Sequence, residues 1–304
     1  MRRTLLILGL VIAALLALFW AIGGFAVVER WAADEQRSVQ AAMAGAIRQL
    51  KAGQPGALAG LLAVSFGYGF FHAAGPGHGK VLIGGYGMGR RVRMAPLAAI
   101  AVLSSLAQAT TAVVLVYAGL FVLGWTRERM VGVTEEVMAP LSYAAIAGIG
   151  LWLTWRGWRG VRRSLITPQH TVPQHGHTHD HHVHDAHCGH VHGPTLDEVA
   201  QVGTWRDAAA LVAGVAVRPC TGALFVLILT WQLGIGATGI LAAYAMGLGT
   251  ASVTLLVAAM AVWAREGALA SLPGAGLARA VPLLELVAGG VIALVATRLL
   301  IGSI

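Results

Sequence analysis

Long apolar runs separated by short polar connections dominate this chain. Runs with few or no charged residues cover positions 4–28, 52–71, 94–126, 137–155, 208–264 and 280–297. The run 208–264 is long enough for two membrane-crossing helices, and its glycine-rich stretch Gly234–Gly239 predicts the turn between them. Because one such helix needs roughly 20 apolar residues, the pattern predicts an all-α polytopic membrane protein with about seven transmembrane helices.

Composition supports the same class. Hydrophobic residues make up 57% of the 304 positions, charged residues make up 11%, and the mean hydropathy is +0.72. Soluble globular domains contain about 25% charged residues, so this composition excludes them. A transmembrane β-barrel is also excluded, because its strands would show segments of about 10 residues that alternate between polar and apolar.

The net charge of +8 does not indicate a nucleic-acid partner. The basic residues cluster at the ends of the apolar runs, where positive charge determines membrane orientation, and they form no single binding face. A cytoplasmic N-terminus puts thirteen Lys and Arg residues inside and six outside, which favours that orientation. With seven crossings the C-terminus then lies outside, and the polar segment 161–206 lies in the cytoplasm.

The N-terminal region has two interpretations. Residues 1–28 are an N-terminal transmembrane helix or a cleaved signal peptide, since Arg2-Arg3 before an apolar stretch is typical of such a peptide. The helix is preferred because the run exceeds the roughly 7–15 residues of a secretory apolar core. Residues 29–55 mix charges with Ala, Met, Val and Leu, which predicts an amphipathic helix on the periplasmic surface.

Ten of the twelve histidines lie in one polar tract inside the segment 161–206. Neutral imidazole binds Ni²⁺, Co²⁺, Zn²⁺ and Cu²⁺, and His-x-His spacing lets neighbouring rings chelate an ion in several registers. The tract lacks the residues of a packed core, so we expect it to be disordered without metal and to buffer ions. A pH-sensing linker is the alternative interpretation. The candidate ligands are His170, His175, His177, His179, His181, His182, His184, His187, Cys188, His190 and His192.

The other two histidines, His72 and His78, flank the stretch Gly75-Pro76-Gly77. On a regular helix, side chains six residues apart point about 240° away from each other and cannot share an ion. Proline removes a backbone donor and glycine permits unusual conformations, so we expect a helix break that exposes carbonyl groups to a polar cavity. The sequence therefore predicts a transport site at His72 and His78. In the alternative, one histidine packs inside the bundle and the other lies at the membrane boundary beside Lys80.

A second break of this kind is predicted at Pro219. Cys220 follows it and supplies a thiol that borderline metals can use; two cysteines in so long a chain do not make a disulfide framework. Arg218 is costly within a membrane unless it faces water, a carbonyl or a partner such as Glu285. We therefore assign Arg218, Thr221 and Glu285 supporting roles.

The two breaks suggest an internal repeat. Pro76 precedes the polar residues at Thr110 by 34 positions, and Pro219 precedes those at Thr250 by 31. This spacing predicts two related three-helix units, residues 56–160 and 207–304, around the loop 161–206. Because each unit has an odd number of crossings, the second would be inverted and the two breaks would meet near the bilayer centre.

Small polar residues in the apolar runs have two equally weighted interpretations. They line the ion path, or they connect packed helices by hydrogen bonds. The residues concerned are Ser104, Ser105, Gln108, Thr110, Thr111, Thr250, Ser252 and Thr254.

Three stretches resemble a known family. The sequence from His72 to Lys80, the histidine-rich loop and residues 218–223 resemble the nickel/cobalt efflux transporters of the NicO group. These are similar in turn to nickel/cobalt permeases and, more distantly, to the lysine-exporter-like superfamily. The similarity runs from about Gly56 onward and implies export of Ni²⁺ and Co²⁺ across a bacterial inner membrane, with His72 and His78 matching the motif histidines. Gly77 stands where nickel permeases carry an acidic residue, and Gly75 stands where some efflux relatives carry Glu.

Two other classes fit the sequence less well. Membrane thiol-disulfide electron carriers need a cysteine in each half, but Gly77 occupies the position that corresponds to Cys220. A membrane zinc peptidase would need His-Glu-x-x-His, and direct use of ATP would need a phosphate-binding loop; the sequence contains neither pattern. The chain is therefore predicted not to be an enzyme and to have no prosthetic group.

The resulting prediction is a secondary transporter that exports Ni²⁺ and Co²⁺, with Zn²⁺ as a further cargo. Imidazole exchanges a metal for a proton, so proton exchange is the expected driving force. An uptake permease is the alternative, because ligands do not determine direction. The expected partners are divalent metal ions and the lipid bilayer, and the oligomeric state is left open.

Overall fold

The computed structural model describes residue 18 and residues 21–74, 78–90, 92–166, 205–270 and 274–303. Most of the predicted first transmembrane helix, the predicted break at Gly75–Gly77 and all the histidines of the loop lie outside the described residues.

Every regular element in the described ranges is helical, which confirms the predicted all-α class. The elements are α1 (Gly24–Lys51), α2 (Ala57–Ala74), α3 (His78–Gly89), α4 (Met94–Phe121), α5 (Arg127–Val133), a π-helical turn (Thr134–Met138), α6 (Ala139–Ile166), α7 (Trp205–Ala216), α8 (Thr221–Gln232), α9 (Gly236–Ala270) and α10 (Gly274–Ile301).

Six predicted membrane crossings can be compared with the described helices. Helices α2, α4 and α9, the continuous segment Arg127–Arg163 and most of α10 are each long and apolar enough to cross a bilayer. Helices α7 and α8 together form a sixth candidate, bent by 61°. These correspond to every apolar run except the first. The count of seven and the two inverted repeats stay predictions.

The crossing predicted at 137–155 begins earlier than its apolar run. Helix α5 starts after Thr126, whose Oγ1 accepts a hydrogen bond from the Arg129 backbone N–H at 3.3 Å. The helix begins at Arg127, before the apolar run, because the Thr126 cap accepts a hydrogen bond from a backbone N–H that has no partner within the first turn. Pro140 lacks a backbone donor, and the π-helical turn lies immediately before the helical turn that contains it.

The turn predicted at Gly234–Gly239 is shorter in the structure. Gly234 has a φ of 76°, a left-handed conformation that favours glycine, whereas Gly236 already begins α9. Gly239 lies in the first turns of α9, where an added Cβ would overlap the side chain of Thr230. This glycine therefore serves the close packing of α8 on α9.

Glycines also allow the long helices to approach closely. Helix α6 packs along α10, and α9 packs against both α2 and α4. At Gly150 and Gly157 of α6, an added Cβ would overlap the backbone of α10, and at Gly289 of α10 it would overlap the backbone of α6. Small residues permit such contacts between membrane helices.

Charged side chains from four helical segments meet at one end of the bundle. Arg90 Nη2 lies 3.5 Å from Asp207 Oδ2, and its Nη1 lies 3.9 Å from Glu285 Oε1. Arg156 Nε lies 3.0 Å from the same Glu285 oxygen. The charge pattern of the sequence predicts that Arg90 and Arg156 lie on the same side of the membrane, the cytoplasmic side. Both pair with Glu285, so the structure agrees that they lie on one side.

Candidate functional site

His72 lies in the last turn of α2, near the point where α2 crosses α9. The crossing is tight because both helices use glycine there. A Cβ at Gly69 would overlap the carbonyl of Met246, and a Cβ at Gly249 would overlap the carbonyl of Phe66. The two backbones are therefore in direct contact, which places His72 close to α9.

Tyr68 orients the His72 ring. The two rings stack with centroids 6.0 Å apart and planes 8° from parallel. Tyr68 is buried, and its hydroxyl accepts a hydrogen bond from Gln36 Nε2 of α1 at 3.0 Å and also contacts Thr221. The phenol ring packs on Gly222 of α8, where a Cβ would overlap it. Tyr68 thus connects α1, α2 and α8 beside the imidazole.

Cys220 is at the N-cap position of α8, directly after the bend that contains Pro219. Its free thiol lies within hydrogen-bonding reach of the His72 ring. The Cys220 Sγ also lies 3.8 Å from the Sδ of Met246 on α9. The structure therefore brings together His72 and Cys220, which come from opposite halves of the chain.

A polar cavity of about 50 Å³ adjoins His72 on the side of α3, α4 and α9. Lys80 of α3 lies in its wall. Five of the eight polar residues named for the ion path also line it: Ser104, Ser105, Gln108, Thr250 and Thr254.

The other three polar residues bond to backbone carbonyls of their own helices. Thr110 donates to Leu106, Thr111 donates to Ala107, and Ser252 donates to Gly249, at 3.0, 3.0 and 2.7 Å. Two of the cavity-lining residues also connect packed parts of the bundle, since Gln108 donates to the Arg218 carbonyl at 3.1 Å and Thr250 donates to the Gly69 carbonyl at 3.2 Å. The two interpretations therefore apply to the same residues.

Arg218 lies in the bend between α7 and α8, and its main partner is Tyr143 of α6. The guanidinium donates a hydrogen bond to the Tyr143 hydroxyl and lies over the ring, 5.2 Å from its centroid. The suggested pairing of Arg218 with Glu285 is wrong, because Glu285 pairs with Arg156 and Arg90 in the charged cluster. The partner of the Arg218 guanidinium is therefore the Tyr143 phenol, through its hydroxyl and its ring face, and not the carboxylate that the sequence suggested.

Replacing Tyr143 with Phe is expected to lower the stability of the protein by about 2 kcal/mol, because the Arg218 guanidinium loses a hydrogen-bond acceptor. Thermal unfolding in detergent measures the change. Tyr244→Phe is the matched control, since its hydroxyl bonds to Thr110 in an exposed pair at 3.0 Å. Equal losses in both variants would show that Arg218 does not depend on Tyr143.

Part of the predicted site lies outside the described residues. His78 begins α3, but its side chain is not described, and neither are Gly75, Pro76 and Gly77. Within the described ranges, no group of three or more His, Cys, Asp and Glu side chains is close enough to hold an ion. The assignment of His72, His78 and Cys220 as metal ligands therefore stays a prediction.

Four residues of this region were not predicted from the sequence: Gln36, Tyr68, Tyr143 and Met246. Tyr68 precedes His72 by four positions on one helix, a spacing that puts both on the same face and could have revealed it. The other three come from helices distant in sequence, so only tertiary packing shows their proximity.

Comparisons with known proteins agree with the motifs. Residues 58–199 match the NicO family, described as "High-affinity nickel-transport protein". A Haemophilus influenzae protein named "Putative nickel/cobalt efflux system" is 27% identical over 257 residues, which cover 80% of this chain and 79% of that protein. Over residues 58–199 the chain is therefore similar to the NicO family. The NicO match contains His72, whereas Cys220 lies beyond it. No solved structure matches the chain.

Proposed function

We propose that this protein is a NicO-type transporter that exports Ni²⁺ and Co²⁺ from the cytoplasm across the inner membrane in exchange for protons. One observation carries the proposal: His72 lies between a polar cavity inside the helix bundle and the Cys220 thiol at the bend of the second half. The description of the family as nickel-transport proteins and the name of the relative as an efflux system support the cargo.

The donor types suit these ions. Imidazole nitrogen and thiolate sulfur both bind borderline divalent metals. In the proposal, His72, His78 and Cys220 hold the ion, and carbonyl groups freed at the helix breaks complete its coordination. The bend at Pro219 supports this, because residues 217–220 lie outside regular helix.

The size of the cavity favours a partly dehydrated ion. A single water needs at least about 10–15 Å³ of such a cavity. The cavity of about 50 Å³ therefore has room for only a few waters. A dication that binds within it would therefore exchange part of its hydration shell for protein ligands. His72 lies in the cavity wall, where this exchange would begin.

Two cations limit how tightly the ion is held. Arg218 and Lys80 both lie within electrostatic range of His72. Their repulsion weakens the binding of a dication, and a transport site must bind weakly enough to release its cargo. Since His72 and Cys220 bind either metal or protons, return of protons to the same groups can accompany release.

The histidine tract is proposed to collect ions in the cytoplasm and to deliver them to the cavity. It acts before the transport site and does not replace it. Changing its ten histidines to glutamine should therefore weaken export without abolishing it.

The test compares cellular Ni²⁺ and Co²⁺ in cells that express the chain, cells that express the tract variant and cells with empty vector. We expect the lowest metal content with the unchanged chain and an intermediate content with the variant. A rise in content on expression would contradict export and would favour uptake. In reconstituted vesicles, a protonophore should stop metal flux if protons drive it; unchanged flux would contradict proton exchange.

A further inference from the structure

A methionine lies beside the proposed transport site, in direct contact with its thiol. Met246 of α9 is 1% exposed, and its Sδ lies 3.8 Å from the Cys220 Sγ. Cys220 in turn lies within hydrogen-bonding reach of His72. One nitrogen and two sulfur donors therefore meet where α2, α8 and α9 pack together.

The separation of the two sulfurs suits a shared ion. Two sulfur ligands of one three-coordinate ion, with metal–sulfur bonds of about 2.3 Å, lie about 4.0 Å apart. The observed separation between Sγ and Sδ is 3.8 Å. A small shift of the two sulfurs is therefore enough for one ion to bridge them.

The backbone keeps Met246 in place. Its carbonyl lies against Gly69 of α2, one helical turn before His72, and a Cβ at Gly69 would overlap it. Next to this contact, Thr250 Oγ1 donates to the Gly69 carbonyl at 3.2 Å. The thioether is thus fixed relative to the imidazole by a helix crossing.

Charge favours a monovalent ion in this set of three donors. A thiolate carries one negative charge, whereas neutral imidazole and thioether carry none, so a monovalent cation leaves the set neutral. A dication would leave one positive charge in a buried position, within range of Arg218 and Lys80. Thiolate and thioether ligands are also the soft donors that select Cu(I).

We propose that Met246, Cys220 and His72 form a binding site for a soft monovalent cation, Cu(I), and that Ag(I) binds there in the same way. Binding releases the thiol proton of Cys220 and requires no change of metal oxidation state. The inference shares His72 and Cys220 with the proposed function, and an ion bound here blocks the passage of Ni²⁺ and Co²⁺.

The test uses the full-length chain in detergent, with the ten tract histidines changed to Gln and with Cys188→Ser, so that the tract does not bind the probe. Ag(I) and Cu(I) are titrated in competition with a chromophoric chelator. Met246→Leu should weaken both affinities by about 10-fold or more. Met260→Leu, on the same helix and 59% exposed, is the matched control and should leave them unchanged.

A spectroscopic measurement covers the case in which Met246→Leu fails to fold. With selenomethionine in place of methionine, X-ray absorption at the copper edge should show a copper–selenium contact. Its absence in a folded, copper-loaded protein would overturn the inference, as would equal affinities in Met246→Leu and Met260→Leu.

Metal flux separates this inference from the proposed function. Ni²⁺ and Co²⁺ flux with no role for Met246 in Cu(I) binding would refute only the inference. Cu(I) binding that depends on Met246, without flux of either divalent ion, would refute only the proposed transport of Ni²⁺ and Co²⁺. Flux that Ag(I) inhibits in the chain with Met246, but not in Met246→Leu, would support both.

Discussion

Replacing His72 with alanine is expected to lower Ni²⁺ and Co²⁺ flux by at least about 10-fold. The imidazole lies at the cavity wall and within reach of the Cys220 thiol, so its loss removes the nitrogen ligand that lies between the cavity and the thiol. Even groups that only orient a metal ligand are worth about 10- to 100-fold in affinity, so a ligand should be worth no less. Flux into reconstituted vesicles at fixed pH measures the effect.

Two further variants distinguish the loss of a metal ligand from a general disturbance of α2. His72→Gln keeps most of the side-chain volume but supplies a poor metal ligand, so it should be nearly as inactive as His72→Ala. Gly67→Ala also introduces alanine into α2, at a position where the new Cβ meets only Val39 at 3.9 Å, and should remain active. Normal flux in a folded His72→Ala protein would mean that the ion takes another route.

The membrane-crossing helices could be predicted from the sequence because apolar length is a local property. Helix ends were less predictable. The cap at Thr126 extends one crossing well beyond its apolar run, and Gly239, assigned to a turn, lies within α9 against Thr230. At Thr126 a specific hydrogen bond, rather than hydropathy, decides where the helix begins, and at Gly239 the close packing of two helices explains the glycine.

The candidate site could be predicted only in part. His72 and Cys220 were found because an ionisable or thiol side chain inside an apolar run is unusual. Met246 is an ordinary residue in such a run, and its position beside Cys220 depends on the crossing of α9 over α2. The partner of Arg218 was mistaken for the same reason, because Tyr143 becomes its neighbour only through the packing of α6 near the bend.

The other large effect is expected at the crossing of α6 and α10. Gly150→Ala should destabilise the protein by about 3 kcal/mol, because the new Cβ would overlap the backbone of Ala293 and the carbonyl of Gly289. Gly148→Ala is the matched control, two residues away on the same helix, where nothing lies within 4 Å of the new Cβ. Thermal unfolding of both variants in one detergent measures the difference.

The stability change expected for the control variant has the opposite sign, which makes this test more specific. Alanine is favoured over glycine within a helix by about 1 kcal/mol, so Gly148→Ala should leave stability unchanged or raise it. Any loss in Gly150→Ala then reflects the close approach of the two helices. The overlap involves the backbone of Ala293 rather than its side chain, so adding Ala293→Gly should not restore stability. Restoration by that second change would mean that side chains, not backbones, set the distance between α6 and α10.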